Sequence, residues 1–249
     1  MAHIVLVHGA LLDGSSWGEV IFTLQRSGHT VVAVQLPLTG IQQDAAVVRR
    51  EIDRMPSPCI VVGHSYGGAV VCEAARAAPN VKALVFVTAF VPDEGERVAD
   101  LMARYPQPAG FEPYIVPDDD GTFTVDRAHF PRVVAPDVDP VTAQIMATAQ
   151  GPTANTAFSA DTVGRPAWKD VRSYYVLADS DQVVHPATQR WMAERIDAVT
   201  ATLAGAGHVP MQSQPDEVAA LIERAANPPI TGWPLQRPPN EDPASGGGS

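Results

Sequence analysis

A serine between two glycines, Ser65, is the residue of this sequence whose surroundings are most typical of covalent chemistry. An apolar run leads up to Gly63, and small and apolar residues resume after Gly67, so the pattern predicts a strand, a sharp turn and a helix. Such a nucleophile elbow strains the serine backbone and directs the hydroxyl to the sheet edge, where the amides of the helix also point. Because Gly and Ser are common, G-x-S-x-G also arises by chance, and the flanking strand and helix carry the prediction.

A serine hydroxyl becomes an effective nucleophile when a histidine accepts its proton and a carboxylate orients that histidine. On a parallel sheet with such an elbow, the acid and then the histidine follow the serine, each in a loop after a later strand. His208 lies in a glycine-rich loop between the last predicted strand and the last predicted helix, and is the predicted base. The acid is expected after the strand that ends at Ala178, where Asp179 and Asp181 are both available. Position alone does not choose between these two carboxylates.

Three other histidines lie near these segments. His64 precedes the nucleophile on a strand, where alternation directs its side chain elsewhere, and His8 lies on the side of the predicted oxyanion hole. His185 lies four residues after Asp181 and is the main competitor for the role of base. His185 precedes the final predicted strand, whereas the base is expected after it, so His208 is preferred.

The elements that must position these residues alternate along the chain as apolar runs and amphipathic helices joined by short loops. The predicted strands are 4–8, 30–36, 59–62, 81–88, 171–178 and 199–203. The predicted helices are one capped by Ser15 or Ser16, and those at 44–55, 66–78, 188–195 and 215–226. This pattern predicts an α/β fold with a mostly parallel sheet of about six strands and helices on both faces.

The predicted core comprises residues 1–90 and 171–226. Residues 91–170 interrupt the alternation with many prolines and short helical pieces, and we predict a mostly helical lid insertion that covers the sheet. Its acidic run 118–120 is expected to be a solvated loop. Residues 227–249 are rich in proline and end in a Gly/Ser stretch typical of a linker, so they are left out of the predicted fold.

The composition limits the classes of partner. With 45% hydrophobic residues the 249-residue chain can build a sizeable core, and its net charge of -11 argues against nucleic acid and anionic membranes as partners.

The segment that begins at Met1 resembles neither a signal peptide nor a membrane span, which favours a cytoplasmic location. Cys59 and Cys72 lie in apolar segments and are expected to be buried thiols. The expected ligand is a small, mainly apolar molecule, and the proposed chemistry needs no cofactor or metal; the oligomeric state is not predicted.

Several segments besides the elbow are typical of one known family: 8–10 with Gly14 and Trp17, 35–39, 90–95, 181–186 with Gln189 and Arg190, and 207–211. Through them residues 4–226 resemble the α/β-hydrolase superfamily, and within it small bacterial carboxylesterases related to plant methylesterases and hydroxynitrile lyases. The family's acid opens the pattern D-x-x-[I/V]-x-P, which implies Asp181 rather than Asp179. His185 stands where this group often has proline.

An oxyanion hole needs two backbone N–H groups, one from the residue after the nucleophile and one from the loop after the first strand. The first is Tyr66, and the resemblance implies Ala10 as the second. The insertion would exclude water and shape the substrate pocket. Candidates for lining that pocket are Leu11 and the aromatic residues Phe111, Phe130, Phe158 and Trp168. Packing within the insertion is the alternative role for each of these aromatic residues.

The sequence therefore predicts a carboxylic-ester hydrolase that forms an acyl-enzyme at Ser65, with His208 as base and then acid and Asp181 orienting it. A lactonase, an amidase or a cofactor-free perhydrolase would use the same residues. A hydroxynitrile lyase is a further alternative, but the plant lyases carry a lysine after the triad histidine and commonly a polar residue in the first loop, where this chain has Val209 and Gly9. A ligand-binding receptor of the same fold would also retain the triad.

Overall fold

Continuous β-branched and aliphatic runs form the central strands, because a parallel sheet covered by helices buries both faces of each strand. The computed structural model describes residues 1–105, 112–159 and 164–228. In chain order the strands of these ranges are β1 (His3–Val7), β2 (Thr30–Val34), β3 (Cys59–His64), β4 (Val81–Val87), β5 (Ile115–Pro117), β6 (Thr122–Val125), β7 (Thr153–Ala154), β8 (Arg172–Ala178) and β9 (Val199–Leu203). The α-helices are α1 (Gly18–Arg26), α2 (Ile41–Arg54), α3 (Tyr66–Ala74), α4 (Val98–Met102), α5 (Phe130–Val133), α6 (Pro140–Ala149), α7 (Thr156–Ser159), α8 (Pro186–Arg195), α9 (Pro210–Ser213) and α10 (Pro215–Ala226).

The described residues form a central sheet of six parallel strands in the order β2-β1-β3-β4-β8-β9. The carboxyl ends of β3, β8 and β9 therefore meet at one edge, and in open α/β sheets ligands bind in the crevice beyond that edge. The predicted α/β fold class, with a mostly parallel sheet of about six strands, is confirmed.

Strand side chains alternate between two apolar cores, one on each face of the sheet. Val5 and Val61 pack with residues of α2 and α3 on one face. Ile4 and Val62 pack with residues of α1 and α10 on the other. Helices thus cover both faces, as the sequence pattern predicts.

The first helix begins differently from the prediction. Asp13, rather than Ser15 or Ser16, is the capping residue: its Oδ1 accepts a hydrogen bond from the Ser15 N–H at 2.7 Å. The cap opens a 3-10 helix, Gly14–Trp17, and α1 follows only at Gly18. The predicted cap was therefore wrong, because a carboxylate two residues upstream supplies the acceptor.

The segment between β4 and β8 contains a small antiparallel sheet in the order β5-β6-β7, as well as the helices α4 to α7. The prediction of a mostly helical insertion missed this sheet. The acidic run 118–120 forms the exposed turn between β5 and β6, where Asp118 N–H donates to Thr122 O at 2.8 Å and Gly121 has a φ of +83°. A left-handed φ favours glycine, so this residue fixes the hairpin.

The two cysteines are both free and buried, as predicted. Burial raises the pKa of the Cys59 thiol to about 12, and raises that of Cys72 as well. Within residues 1–105, 112–159 and 164–228, no helix has the length and apolar character needed to cross a bilayer.

Candidate active site

The turn between β3 and α3 holds Ser65 at a positive φ of 51° with ψ −124°, a conformation that residues with a side chain rarely adopt. A Cβ at Gly67 would lie 2.5 Å from His8 O, and one at Gly63 would lie 2.7 Å from Gly67 O. Those neighbours are backbone atoms that cannot move aside, so the close approach of α3 to β1 and β3 requires glycine. The G-x-S-x-G pattern thus corresponds to a strained strand-to-helix turn with the serine at its apex.

The structure brings Ser65, His208 and Asp181 into one hydrogen-bonded chain. His208 Nε2 lies 2.9 Å from Ser65 Oγ, and His208 Nδ1 lies 2.9 Å from Asp181 Oδ2. The carboxylate can only accept, so the imidazole proton lies on Nδ1 and Nε2 is left to accept from the serine hydroxyl. All three residues are buried, and each follows a strand of the central sheet.

Asp181 is held on both carboxylate oxygens. Its Oδ1 accepts from the N–H groups of Val183 at 2.7 Å and Val184 at 3.0 Å, and its Oδ2 also accepts from Gln189 Nε2 at 2.7 Å. Asp179 faces another loop, where its Oδ1 accepts from the Gly205 N–H at 2.7 Å. The structure therefore places Asp181, and not Asp179, against His208.

The other histidines near the elbow are held in fixed tautomers. His64 Nε2 donates to His208 O at 2.9 Å, and burial lowers the pKa of His64 well below its ordinary 6.5. His8 Nε2 accepts from the Leu36 N–H at 3.0 Å, so its Nδ1 carries the proton and donates to Gly9 O at 2.8 Å. Burial lowers the pKa of His8 too. Neither ring contacts the serine hydroxyl as a base.

His185 is the N-cap of α8. Its Nδ1 accepts a hydrogen bond from the Ala187 N–H at 3.0 Å, and its ring stacks on Tyr105 with 6.3 Å between the centroids. A histidine acceptor here satisfies a helix N–H that otherwise has no partner in the first turn. The structure thus gives this residue a local structural role.

A pocket of about 210 Å³ opens above Ser65 and His208. Its remaining lining residues are Ala10, Leu11, Leu12, Phe90, Met102, Ile115, Phe123, Val134, Asn155, Phe158 and Val183. Within the described part of the chain, Asn155 is the only further polar side chain on this wall. The pocket is therefore suited to an apolar group next to the serine.

Two of the residues predicted to line the pocket, Leu11 and Phe158, do lie on its wall. Trp168 does not, which corrects the prediction: it is buried in the core, and its Nε1 donates to Pro92 O at 3.0 Å. Phe130 is fully buried in the other core. Phe111 lies outside the described residues. Most of the wall could not be predicted from the sequence, because it is assembled from separate parts of the chain.

A buried carboxylate behind the elbow was also missed. The Tyr66 hydroxyl donates to Asp44 Oδ2 at 2.8 Å, and burial raises the pKa of the fully buried Asp44. The Tyr66 ring packs against Phe158, with 5.5 Å between the centroids. The signal was present in the sequence: Asp44, Val48 and Ile52 share one face of α2 at intervals of four.

Among the residues that the structure describes, no three His, Cys, Asp or Glu side chains are grouped so that they could hold a metal ion.

Comparison with known proteins gives the class to which this fold and serine elbow belong. The α/β hydrolase family profile matches residues 4–221, so the chain belongs to that family. This confirms the superfamily that the motifs indicate.

Individual relatives include a plant esterase and a plant lyase. Methylesterase 8 of Arabidopsis thaliana is 23% identical over 250 residues, which cover 89% of this chain and 90% of that protein. The α-hydroxynitrile lyase of Arabidopsis thaliana is 30% identical over 122 residues, 43% of this chain and 47% of that protein. The crystal structure of a pyrethroid hydrolase from Sphingobium faniae JZ-2 superposes with a TM-score of 0.76 at 22% identity, over 92% of this chain and 99% of that one, and shows the shared fold.

Proposed function

We propose that this protein is a serine hydrolase that cleaves small carboxylic esters through an acyl-enzyme intermediate. The observation that carries the proposal is the chain of two 2.9 Å contacts from Ser65 through His208 to Asp181 beneath an apolar pocket. Relatives named as esterases support the same reaction class.

In the acylation step, Ser65 Oγ attacks the carbonyl carbon of the ester and its proton passes to His208 Nε2. Asp181 Oδ2 accepts from Nδ1 and stabilises the imidazolium that forms. The negative charge that develops on the carbonyl oxygen is assigned to the backbone N–H groups of Ala10 and Tyr66. Each such donor typically stabilises the transition state by about 3 to 4 kcal/mol.

When the tetrahedral intermediate collapses, the bond between the carbonyl carbon and the alcohol oxygen breaks, and His208 Nε2 returns its proton to that oxygen. Water then attacks the acyl-enzyme with His208 again accepting a proton, and Ser65 Oγ leaves with that proton restored. Both half-reactions thus use one base alternately as acid and base, and neither requires a metal or an organic cofactor.

The proposed substrate is small and mainly apolar. Among the described residues the pocket wall carries no lysine, arginine or carboxylate, so a charged acyl group would lose its hydration without a partner. We assign the insertion 91–170 the role of a lid that excludes water from the acyl-enzyme, since Met102, Phe123 and Phe158 of this segment line the pocket.

Two positions argue against lyase chemistry. A Cβ at Gly9 would lie 2.8 Å from both Ser65 Cβ and His64 Nδ1, so this loop has no room for a polar side chain unless the elbow shifts. Val209, at the place of the lyases' lysine, is fully buried among apolar residues. Hydrolysis is therefore the favoured reaction of this triad.

Ser65→Ala tests the proposal. With p-nitrophenyl butyrate as the probe, we expect turnover to fall on the order of 10⁴-fold, because the nucleophile is removed. Ser173→Ala is the matched control, since Ser173 is also buried, lies on β8 and donates to Val171 O at 3.4 Å; its turnover should match wild type within about twofold. A fluorophosphonate should label wild type once, and a peptide map should place the label on Ser65.

Retention of more than about a tenth of wild-type turnover by Ser65→Ala would refute the acyl-enzyme mechanism. Turnover slower than one event per several minutes for every ester in a chain-length series, together with tight binding, would instead support a ligand-binding receptor.

A further inference from the structure

The backbone of Gly207 and His208 is held by three side chains from outside this loop. His64 Nε2 and Thr88 Oγ1 both lie within hydrogen-bond distance of His208 O, at 2.9 and 3.0 Å. One residue earlier, the Gly207 N–H donates to Asp137 Oδ2 at 2.8 Å. We call His64, Thr88 and Asp137 the loop clamp.

His64 is the principal donor of the clamp. The single proton of Thr88 is shared between His208 O and Val87 O, which lies 2.8 Å away, whereas the Nε2 proton of His64 has His208 O as its acceptor. Burial and the neighbouring His208 ring, 4.9 Å away between centroids, lower the pKa of His64, so the ring stays neutral. A neutral ring with its proton on Nε2 can donate this hydrogen bond.

The His64 ring also fits its site closely. It packs edge to face on Trp17, with 6.3 Å between centroids, and its Nδ1 lies 2.8 Å from the position that a Cβ of Gly9 would take. A cationic side chain in the same place would oppose formation of the His208 imidazolium, because like charges at this distance repel strongly in a buried site. The site therefore favours a neutral donor of this length.

We propose that the loop clamp positions the His208 imidazole between Ser65 and Asp181, with His64 as its main member. This inference rests on the proposed esterase function. The imidazole is held at its Nδ1 by Asp181, but the distance from Nε2 to Ser65 Oγ also depends on where the backbone of residues 207–208 lies. Misplacement of a catalytic group by about 1 Å reduces the rate about 10²-fold. His64 touches neither substrate nor serine hydroxyl and is a positioning residue.

The test compares His64→Leu with His64→Gln. Leucine retains apolar volume and removes the donor, whereas the glutamine amide retains an N–H donor at a similar reach. With p-nitrophenyl butyrate we expect His64→Leu to lower kcat about 10- to 100-fold with KM changed less than about threefold, and His64→Gln to remain within about fivefold of wild type. A role in packing alone predicts no rescue by glutamine over leucine.

Asp137 supplies a second pair, because His64 lies beside the elbow and its variants can lose the fold. Asp137→Asn retains an oxygen that accepts from Gly207 N–H, and Asp137→Ala removes it. We expect kcat to fall about 5- to 20-fold in the alanine variant and less than about twofold in the asparagine variant, with thermal melts confirming folded protein.

Equal kcat for the leucine and glutamine variants overturns the inference, as does equal kcat for the alanine and asparagine variants if the His64 pair does not fold. These results are distinct from failure of the proposed function. A fully active Ser65→Ala would refute the esterase mechanism, whereas an inactive Ser65→Ala beside a fully active His64→Leu would refute the loop clamp only.

Discussion

Asp181 is the residue whose assignment most depends on geometry, because Asp179 stands two positions away in the same loop. Only Asp181 is in contact with His208 and with the N–H groups that fix its carboxylate. We predict that Asp181→Asn lowers kcat for p-nitrophenyl butyrate on the order of 10³- to 10⁴-fold, since an amide does not hold the imidazole in the required tautomer.

The control is Asp179→Asn. Its oxygen can still accept from the Gly205 N–H, so kcat should stay within about threefold of wild type. If Asp179→Asn is the more damaging of the two substitutions, the assignment of the acid is wrong.

The residues that meet at this site could be predicted because parallel strands deliver their loops to one edge, which fixes the order of Ser65, Asp181 and His208 along the chain. The contacts that hold these residues in place could not be predicted. Alternation on β3 correctly directs His64 away from the serine, but it does not reveal that the ring reaches the backbone of residue 208. The cap formed by His185 likewise depends on where α8 begins.

At the scale of elements, the elbow depends on how closely α3 approaches β1. A Cβ at Gly67 would lie 2.5 Å from His8 O and 2.8 Å from Val7 O. We predict that Gly67→Ala lowers the free energy of unfolding by about 2 kcal/mol or more, because backbone would have to shift. Urea unfolding measures this change.

Gly18→Ala is the matched control for that prediction. Gly18 begins α1 in ordinary helical conformation, and among the described residues no atom beyond its chain neighbours and the backbone of its own helix lies within 4 Å of an added Cβ. Alanine there should be neutral or stabilise the protein by up to about 1 kcal/mol. A loss of stability as large as that of Gly67→Ala would show that steric contact is not the cause.

The buried hydrogen bond from Tyr66 of α3 to Asp44 of α2 should make stability depend on pH. Burial raises the pKa of Asp44 above its ordinary 3.8. The folded chain then holds this proton more tightly than the unfolded chain, so the stability that Asp44 contributes is fully present below the unfolded pKa and is lost as pH rises through the folded pKa. We predict that the free energy of unfolding of wild type, relative to Asp44→Asn, is larger at about pH 4 than at about pH 7.

Urea unfolding of both proteins at both pH values measures this difference, and the other titrating groups cancel in the comparison. A difference that is constant, or that grows with pH, would mean that desolvation does not dominate at Asp44.

Elements of the sheet and its covering helices were predictable because their apolar patterns repeat over five or more residues. The small sheet in the insertion was not, since β5 and β7 have three and two residues and leave no periodic pattern. The start of α1 was missed for another reason: Asp13 caps a 3-10 turn, a local competition that helical periodicity does not record.

At the scale of the molecule, the two ends of the insertion are in contact with each other. Trp168 Nε1 donates to Pro92 O at 3.0 Å, and Lys169 forms an ion pair with Asp93, so the exit of the segment is tied to its entrance. Phe158, by contrast, lies on the pocket wall with Phe123, and its ring contacts the rings of both Phe123 and Tyr66. Which aromatic residue faces the pocket is decided by contacts between distant parts of the chain, and sequence pattern could not distinguish Trp168 from Phe158.

This division of roles predicts that one aromatic substitution changes substrate preference and the other changes stability. Phe158→Ala lengthens the pocket, so the ratio of kcat/KM for p-nitrophenyl octanoate to that for the butyrate should rise about 10-fold, because one further methylene in apolar contact contributes about 1 kcal/mol or more. Trp168→Phe removes the bond to Pro92 and should lower the free energy of unfolding by about 1 to 3 kcal/mol, while the ratio stays within about twofold of wild type. If both substitutions change the ratio equally, closure of the insertion and shape of the pocket are not separable, and Phe158 has no specific role in selecting the acyl chain.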